Sequence, residues 1–154
     1  LEQGSSKITM LSASDKHMYQ PGLLYVAVGK MSTTELYRDQ KSLLEPSIDF
    51  HVDPVEKFDL DNNSVTTKSG KKISYDIICI ATGSRGNAAG IPGLAENACQ
   101  FYTEADALDM YKKLQKFEGG KVVVATGVPH KCPMSPLDIS FLLFDYFKKR
   151  VIWD

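Results

Sequence analysis

Apolar residues fall into two kinds of run along this chain. Three runs are continuous, as in strands covered on both faces: "KITMLSAS" from Lys7, "DIICIATG" from Asp76 and "KVVVATG" from Lys121. Two others repeat at helical spacing. "TEADALDMYKKLQKFEGG" sets Ala107, Leu108, Tyr111, Leu114 and Phe117 on one face, with Thr103 as N-cap and Gly119-Gly120 as the stop. In "SPLDISFLLFDYFKKR", Ser135 is expected to cap, Pro136 to take the first helical position and Asp138 to complete a capping box. Lys148, Lys149 and Arg150 then fall at that helix's negative end.

The remaining patterns are less regular. "DKHMYQPGLLYVAVGKM" reads as a loop, broken at Pro21-Gly22 and again at Gly29. "STTELYRDQKSLLE" carries a helical pattern, capped by Ser32 or Thr33 and stopped by Pro46. From Ile48 to Ile80 the chain reads as β structure, with turns at Asn62-Asn63 and at "SGKK". "SRGNAAGIPGL" is a loop or crossover. A strand, a β-rich excursion and then strand–helix–strand–helix make an α/β arrangement.

Composition narrows the class. At 154 residues, 43% hydrophobic and 24% charged, the chain has the makings of one ordinary globular domain. A net charge of -1 with only short basic pairs, such as Lys71-Lys72 and Lys148-Lys149, argues against a nucleic-acid partner. No apolar run approaches the ~18 residues of a membrane-spanning helix, and no signal peptide pattern is present. The three cysteines lie far apart, which suits free thiols in a reducing compartment. Neither end has the character of a natural terminus, so the chain is expected to be part of something longer.

Two stretches carry candidate chemistry. Thr82-Gly83 closes an apolar run, and the carboxyl end of a strand in an open α/β sheet is where ligands gather. These residues alone fit either an ordinary strand-to-loop turn or a ligand contact. In "VPHKCPMSP", Cys132 has Lys131 beside it, His130 two residues away and a helix start at Ser135, with Pro129 and Pro133 stiffening the segment. Cations and helix N-termini favour thiolate, so a reactive thiol is one reading. A small buried hydrophobe is the other. His17 and His51 stand singly in unrelated segments, so no metal site is expected.

The surroundings of both stretches resemble a known family. With the hairpin "SGKKISYD" before it and "IPGL" after it, "IICIATGS" is similar to the flavoproteins with two dinucleotide-binding domains. That resemblance implies a turn lying against FAD, through Ala81, Thr82 and Gly83. "HMYQPGLLYVAVGKM" resembles the segment after the second strand in sulfide:quinone oxidoreductases and type II NADH dehydrogenases, implying that Pro21 and its neighbour Tyr19 pass near the flavin. "VPHKCPMSP" resembles the P-x-K/R-C-x-x-x-P turn of sulfide:quinone oxidoreductases and of the flavoprotein subunit of flavocytochrome c sulfide dehydrogenase, which type II NADH dehydrogenases lack. There the cysteine is half of a redox-active disulfide. Sulfide attacks it, a persulfide forms, and electrons pass to FAD and on to an acceptor.

The likeness runs from Lys7 to Arg150 with two departures. The G-x-G-x-x-G turn that cradles the FAD pyrophosphate is not in this chain, and Ser12 stands where an acidic residue would meet the adenosine ribose. The resemblance therefore implies a FAD/NAD(P)-binding, Rossmann-like three-layer α/β fold, incomplete, with an inserted antiparallel β-rich segment. Residues 1–154 would be part of the FAD-binding domain, and the second cysteine would come from the C-terminal half of the family's chain. Cys79 is expected in the core, and Cys99 is left without a role. The expected function is an FAD-dependent oxidoreductase acting between sulfide and quinone or another acceptor, with Cys132 catalytic. An NADH-linked flavin oxidoreductase and a non-catalytic fragment without flavin are the alternatives. The full-length protein would be cytoplasmic or peripheral at a membrane, touching it through a C-terminal region. The isolated chain is expected to hold FAD poorly and to be prone to self-association.

Overall fold

The computed structural model describes residues 6–127 and 131–150. They form two compact units: one of residues up to Met18 with Tyr37–Thr82, the other of Tyr19–Leu36 with residues from Gly83 onward.

In the first unit, strand β1 (Thr9–Ser12) pairs in parallel with β4 (Asp49–Val52), Thr9 opposite Asp49. β2 (Lys16–Met18) pairs antiparallel with β3 (Tyr37–Asp39). β5 (Val55–Asp59), β6 (Ser64–Thr67) and β7 (Lys72–Ser74) form an antiparallel meander. Its turns use the expected chemistry. Asn63 takes φ +46, and the Asp59 carboxylate accepts from the Asn62 backbone N–H and side-chain amide. At the second turn Gly70 is left-handed, and Asp53 accepts from Ser69 through both its N–H and its hydroxyl. Val65 and Thr67 are buried on this sheet.

The second unit packs α1 (Leu23–Ala27) against α3 (Glu104–Lys116) and α4 (Ser135–Lys149), with the short α2 (Leu94–Asn97) between α1 and α3 in the chain. Its core joins Leu23, Val26, Ala27 and Leu36 to Ala107, Met110 and Leu114 of α3 and to Ile139, Leu143 and Phe147 of α4. The α4 residues repeat every four positions, as a buried helical stripe must. Thr103 caps α3 by accepting from the Asp106 N–H at 3.1 Å. Arg150 donates to the carbonyls of Leu114 and Gln115 in the last turn of α3. Gly29 sits at φ +72, where a Cβ would fall 2.3 Å from the Tyr111 ring, so both backbone and packing demand glycine.

Several sequence expectations are corrected. "DIICIATG" and "KVVVATG" form no strand: Ile77 is 91% and Val123 75% exposed, and Cys79 is exposed rather than in the core. β propensity expresses how well a residue fits a pleated, covered surface, and among the described residues no strand pairs with either run. The helix expected in "STTELYRDQKSLLE" breaks into two 3-10 turns around β3. The capping device does form, Glu35 accepting from the Ser32 N–H at 2.8 Å, but pairing with β2 takes Tyr37–Asp39 out of helical geometry. The "loop" at Lys16–Ala27 instead supplies β2 and the buried helix α1. On α3, Met110 is buried and Leu108 partly exposed, so the inner face is turned from that expected.

Candidate functional site

Helix α4 begins with Pro136 in its first turn, and Met134 is the flanking residue. Proline has no N–H to leave unsatisfied there, and Met134 and Ser135 stand at the helix head. Cys132 lies two and three residues before them. Its thiol is held below the ordinary thiol value, first by the Ser135 hydroxyl, then by the Ser135 and Met134 N–H groups, while partial burial and the Asp138 charge oppose the shift. Ser135 therefore does not cap α4, nor does Asp138 complete a capping box: the helix head has no side-chain cap. The Ser135 side chain, 6% exposed, serves the cysteine instead. Cys132 itself is half-buried and free.

Lys131 was expected to act on its neighbour by charge. Its ammonium instead donates to the Ser84 carbonyl at 3.1 Å. The second unit thus ties the Cys132 turn directly to the turn that follows Gly83. Gly83 adopts φ +75, and a Cβ built there would meet nothing within 4 Å, leaving bare backbone with open space beside it. Pro129 and His130 lie outside the described residues.

The other predicted residues divide between the units. Pro21, in the second, is exposed within the 3-10 turn Gln20–Gly22, beside the half-exposed ring of Tyr19. This turn is fixed by close approach, since a Cβ on Gly22 would lie 2.6 Å from Leu36 Cδ2. Ser12, in the first, ends β1, and its Oγ accepts from the Ser14 N–H at 3.2 Å. Ala81 and Thr82 are exposed at the end of the "DIICIAT" run. Cys99 is exposed, and it adds to the influence of Asp109, the larger one, in raising the Lys113 ammonium above its ordinary value.

Among the described residues no cluster of three or more His, Cys, Asp or Glu could hold a metal ion, and no helix is long and apolar enough to cross a membrane. Sequence reading missed the roles of Ser135 and Lys131 at this site. The signal available was a hydroxyl three residues after the cysteine, at a proline-led helix start.

Residues 1–127 match the family described as pyridine nucleotide-disulphide oxidoreductase. The chain is 33% identical over 149 residues to the sulfide-quinone reductase of Aquifex aeolicus, covering 95% of this chain and 34% of that protein. With the mitochondrial sulfide:quinone oxidoreductase of Mus musculus it shares 29% over 152 residues, again 95% of this chain and 34% of the relative. The crystal structure of the Aquifex aeolicus sulfide:quinone oxidoreductase superposes with a TM-score of 0.73 at 29% identity, over 95% of this chain and 34% of that one. The chain thus spans about a third of the length of these relatives, and the fold is that of the FAD/NAD(P)-binding neighbours despite its small sheets.

Proposed function

Because the chain belongs to the pyridine nucleotide-disulphide oxidoreductase family, we propose that it is part of the flavin-binding domain of an oxidoreductase that takes electrons from sulfide through Cys132. The observation that carries this reading is the place of Cys132 just before the proline-led head of α4, where the Ser135 hydroxyl and the N–H groups of Ser135 and Met134 lower the thiol's pKa. Such donors favour the thiolate, which is the reactive form in sulfur chemistry. The similarity to sulfide:quinone oxidoreductases over 95% of the chain supports the substrate class.

The residues present fit an isoalloxazine cofactor. The open, side-chain-free backbone at Gly83 suits close approach by a planar ring. Ala81, Thr82, Gly83 and Pro21 would line it, and the Ser12 hydroxyl, already an acceptor from Ser14, keeps its proton to donate to a ribose. When bound, FAD would supply the two-electron acceptor between the sulfur and a quinone or other oxidant.

In the proposed reaction Cys132 and a second cysteine form a disulfide. Hydrosulfide attacks one sulfur, a new S–S bond forms as a persulfide, and the old S–S bond breaks with the other sulfur leaving as thiolate. Whenever Cys132 carries the negative charge, Ser135 and the α4 N–H groups stabilise it, making it a better leaving group. The second cysteine would lie in the portion of the relatives' length that this chain does not span.

The test is Cys132→Ser in the full-length protein, followed by stopped-flow reduction with sulfide. Sulfide-dependent bleaching of the flavin is expected to fall to background. Bleaching at the normal rate would remove Cys132 from the mechanism, and faster bleaching by NADH than by sulfide would overturn the substrate assignment.

A further inference from the structure

The Lys131 ammonium and the Ser84 carbonyl meet at 3.1 Å although 47 positions separate them in the chain. Their meeting has two consequences. The ammonium's hydrogen bond is made to a backbone oxygen, and Lys131 is not among the groups that lower the Cys132 thiol. The turn carrying Cys132 and the turn carrying Gly83 also become one piece of structure, each otherwise lacking regular secondary structure on one side. Residues 121–127 lead into the cysteine turn without a ladder, and 81–87 carry Gly83 without one. With so little backbone pairing, this exposed, charge-assisted bond is the side-chain link between the two turns among the described residues.

We propose that Lys131 is a positioning residue, holding Cys132 in register with the bare backbone at Gly83 through its hydrogen bond to the Ser84 carbonyl. This rests on the reading of Cys132 as the redox thiol facing the cofactor that would cover Gly83. Left-handed Gly83 directs the following residue, and Ser84 presents its carbonyl to the lysine. The thiolate's own stability comes from elsewhere, from Ser135 and the head of α4. Position and ionisation are thereby assigned to different residues. The division makes a sharp expectation: losing Lys131 should displace the thiol without changing its acidity.

The experiment compares Lys131→Met, Lys131→Arg and Cys132→Ser in the full-length flavoprotein, starting from oxidised flavin throughout, with the cysteines reduced for the absorbance and alkylation readings. Three quantities are read: long-wavelength absorbance from thiolate–flavin contact, the rate of flavin reduction by sulfide, and the pH midpoint of Cys132 alkylation by iodoacetamide, located by mass spectrometry. Lys131→Met is expected to lose the contact absorbance and slow flavin reduction on the order of 10²-fold, as an ångström-scale misplacement does, with the alkylation midpoint unmoved. Lys131→Arg, which keeps a cationic donor, should recover most of both. A Lys131→Met protein with normal absorbance and rate would overturn the proposal. So would an alkylation midpoint that rises in step with the loss of rate, because Lys131 would then act by charge. Failure of the underlying reading looks different: Cys132→Ser would itself retain sulfide-dependent reduction.

Discussion

Two physical demands meet at Ser135: it opens a helix, and its hydroxyl is the largest influence lowering the Cys132 thiol. Because it is not a cap, replacing it with alanine removes the hydroxyl while leaving the helix a good former at that place. Ser135→Ala should therefore raise the Cys132 pKa toward the ordinary thiol value. The sign follows from the role: a lowered pKa keeps the thiolate at lower pH, so deleting the chief lowering contact demands higher pH for the same thiolate fraction. The pH profile of iodoacetamide alkylation should shift upward, though not all the way, since the Met134 and Ser135 N–H groups stay. An unchanged profile would mean that the helix head alone sets the acidity. The cysteine and its helix were legible in "VPHKCPMSP", but not the direction of the serine. "Ser before Pro" is a capping signal in any sequence, and which acceptor its hydroxyl meets depends on the path of the preceding turn.

Elements differ in how far sequence alone determines them. The meander β5–β6–β7 and the helices α3 and α4 were readable, because their partners are near in sequence or their stripes are complete. The runs "DIICIATG" and "KVVVATG" were misread as covered strands, since an apolar β-branched run states a need for neighbours and not their presence. β3 was hidden because its reason to exist is β2, on the far side of α1 in the chain. The unpaired runs have a consequence for the isolated chain. Ile77, Val123 and, on the outer face of α4, Phe141 at 72% exposure present apolar surface to water. Extended apolar segments with free backbone groups associate readily. Sedimentation velocity of the 154-residue chain is expected to show concentration-dependent oligomers, reduced by Val123→Lys. A monodisperse monomer across the concentration range would contradict this.

At the scale of the whole molecule, the family and fold class were legible because three short motifs fall in the right order along the chain: the Pro21 segment, the Ala81–Gly83 turn and the Cys132 turn. The spatial tie that Lys131 makes between the last two was not, since nothing in a list of residues says which carbonyl a long flexible ammonium will reach. The two units also differ in the sequence distance their contacts span, and this sets the order in which they can assemble. In the meander, Asp59 meets Ser64 and Ser64 meets Ser74, so each hairpin closes a small loop. The parallel pair has to wait for Thr9 to find Asp49, a far longer closure with a larger entropic cost. Low contact order speeds formation, which makes the meander the natural folding nucleus of its unit. Pulse-labelled hydrogen exchange during refolding should protect the Val65 amide before that of Leu11. The parallel β1–β4 pair, a sheet of its own, would then be the late step, closing its long loop after the meander had formed.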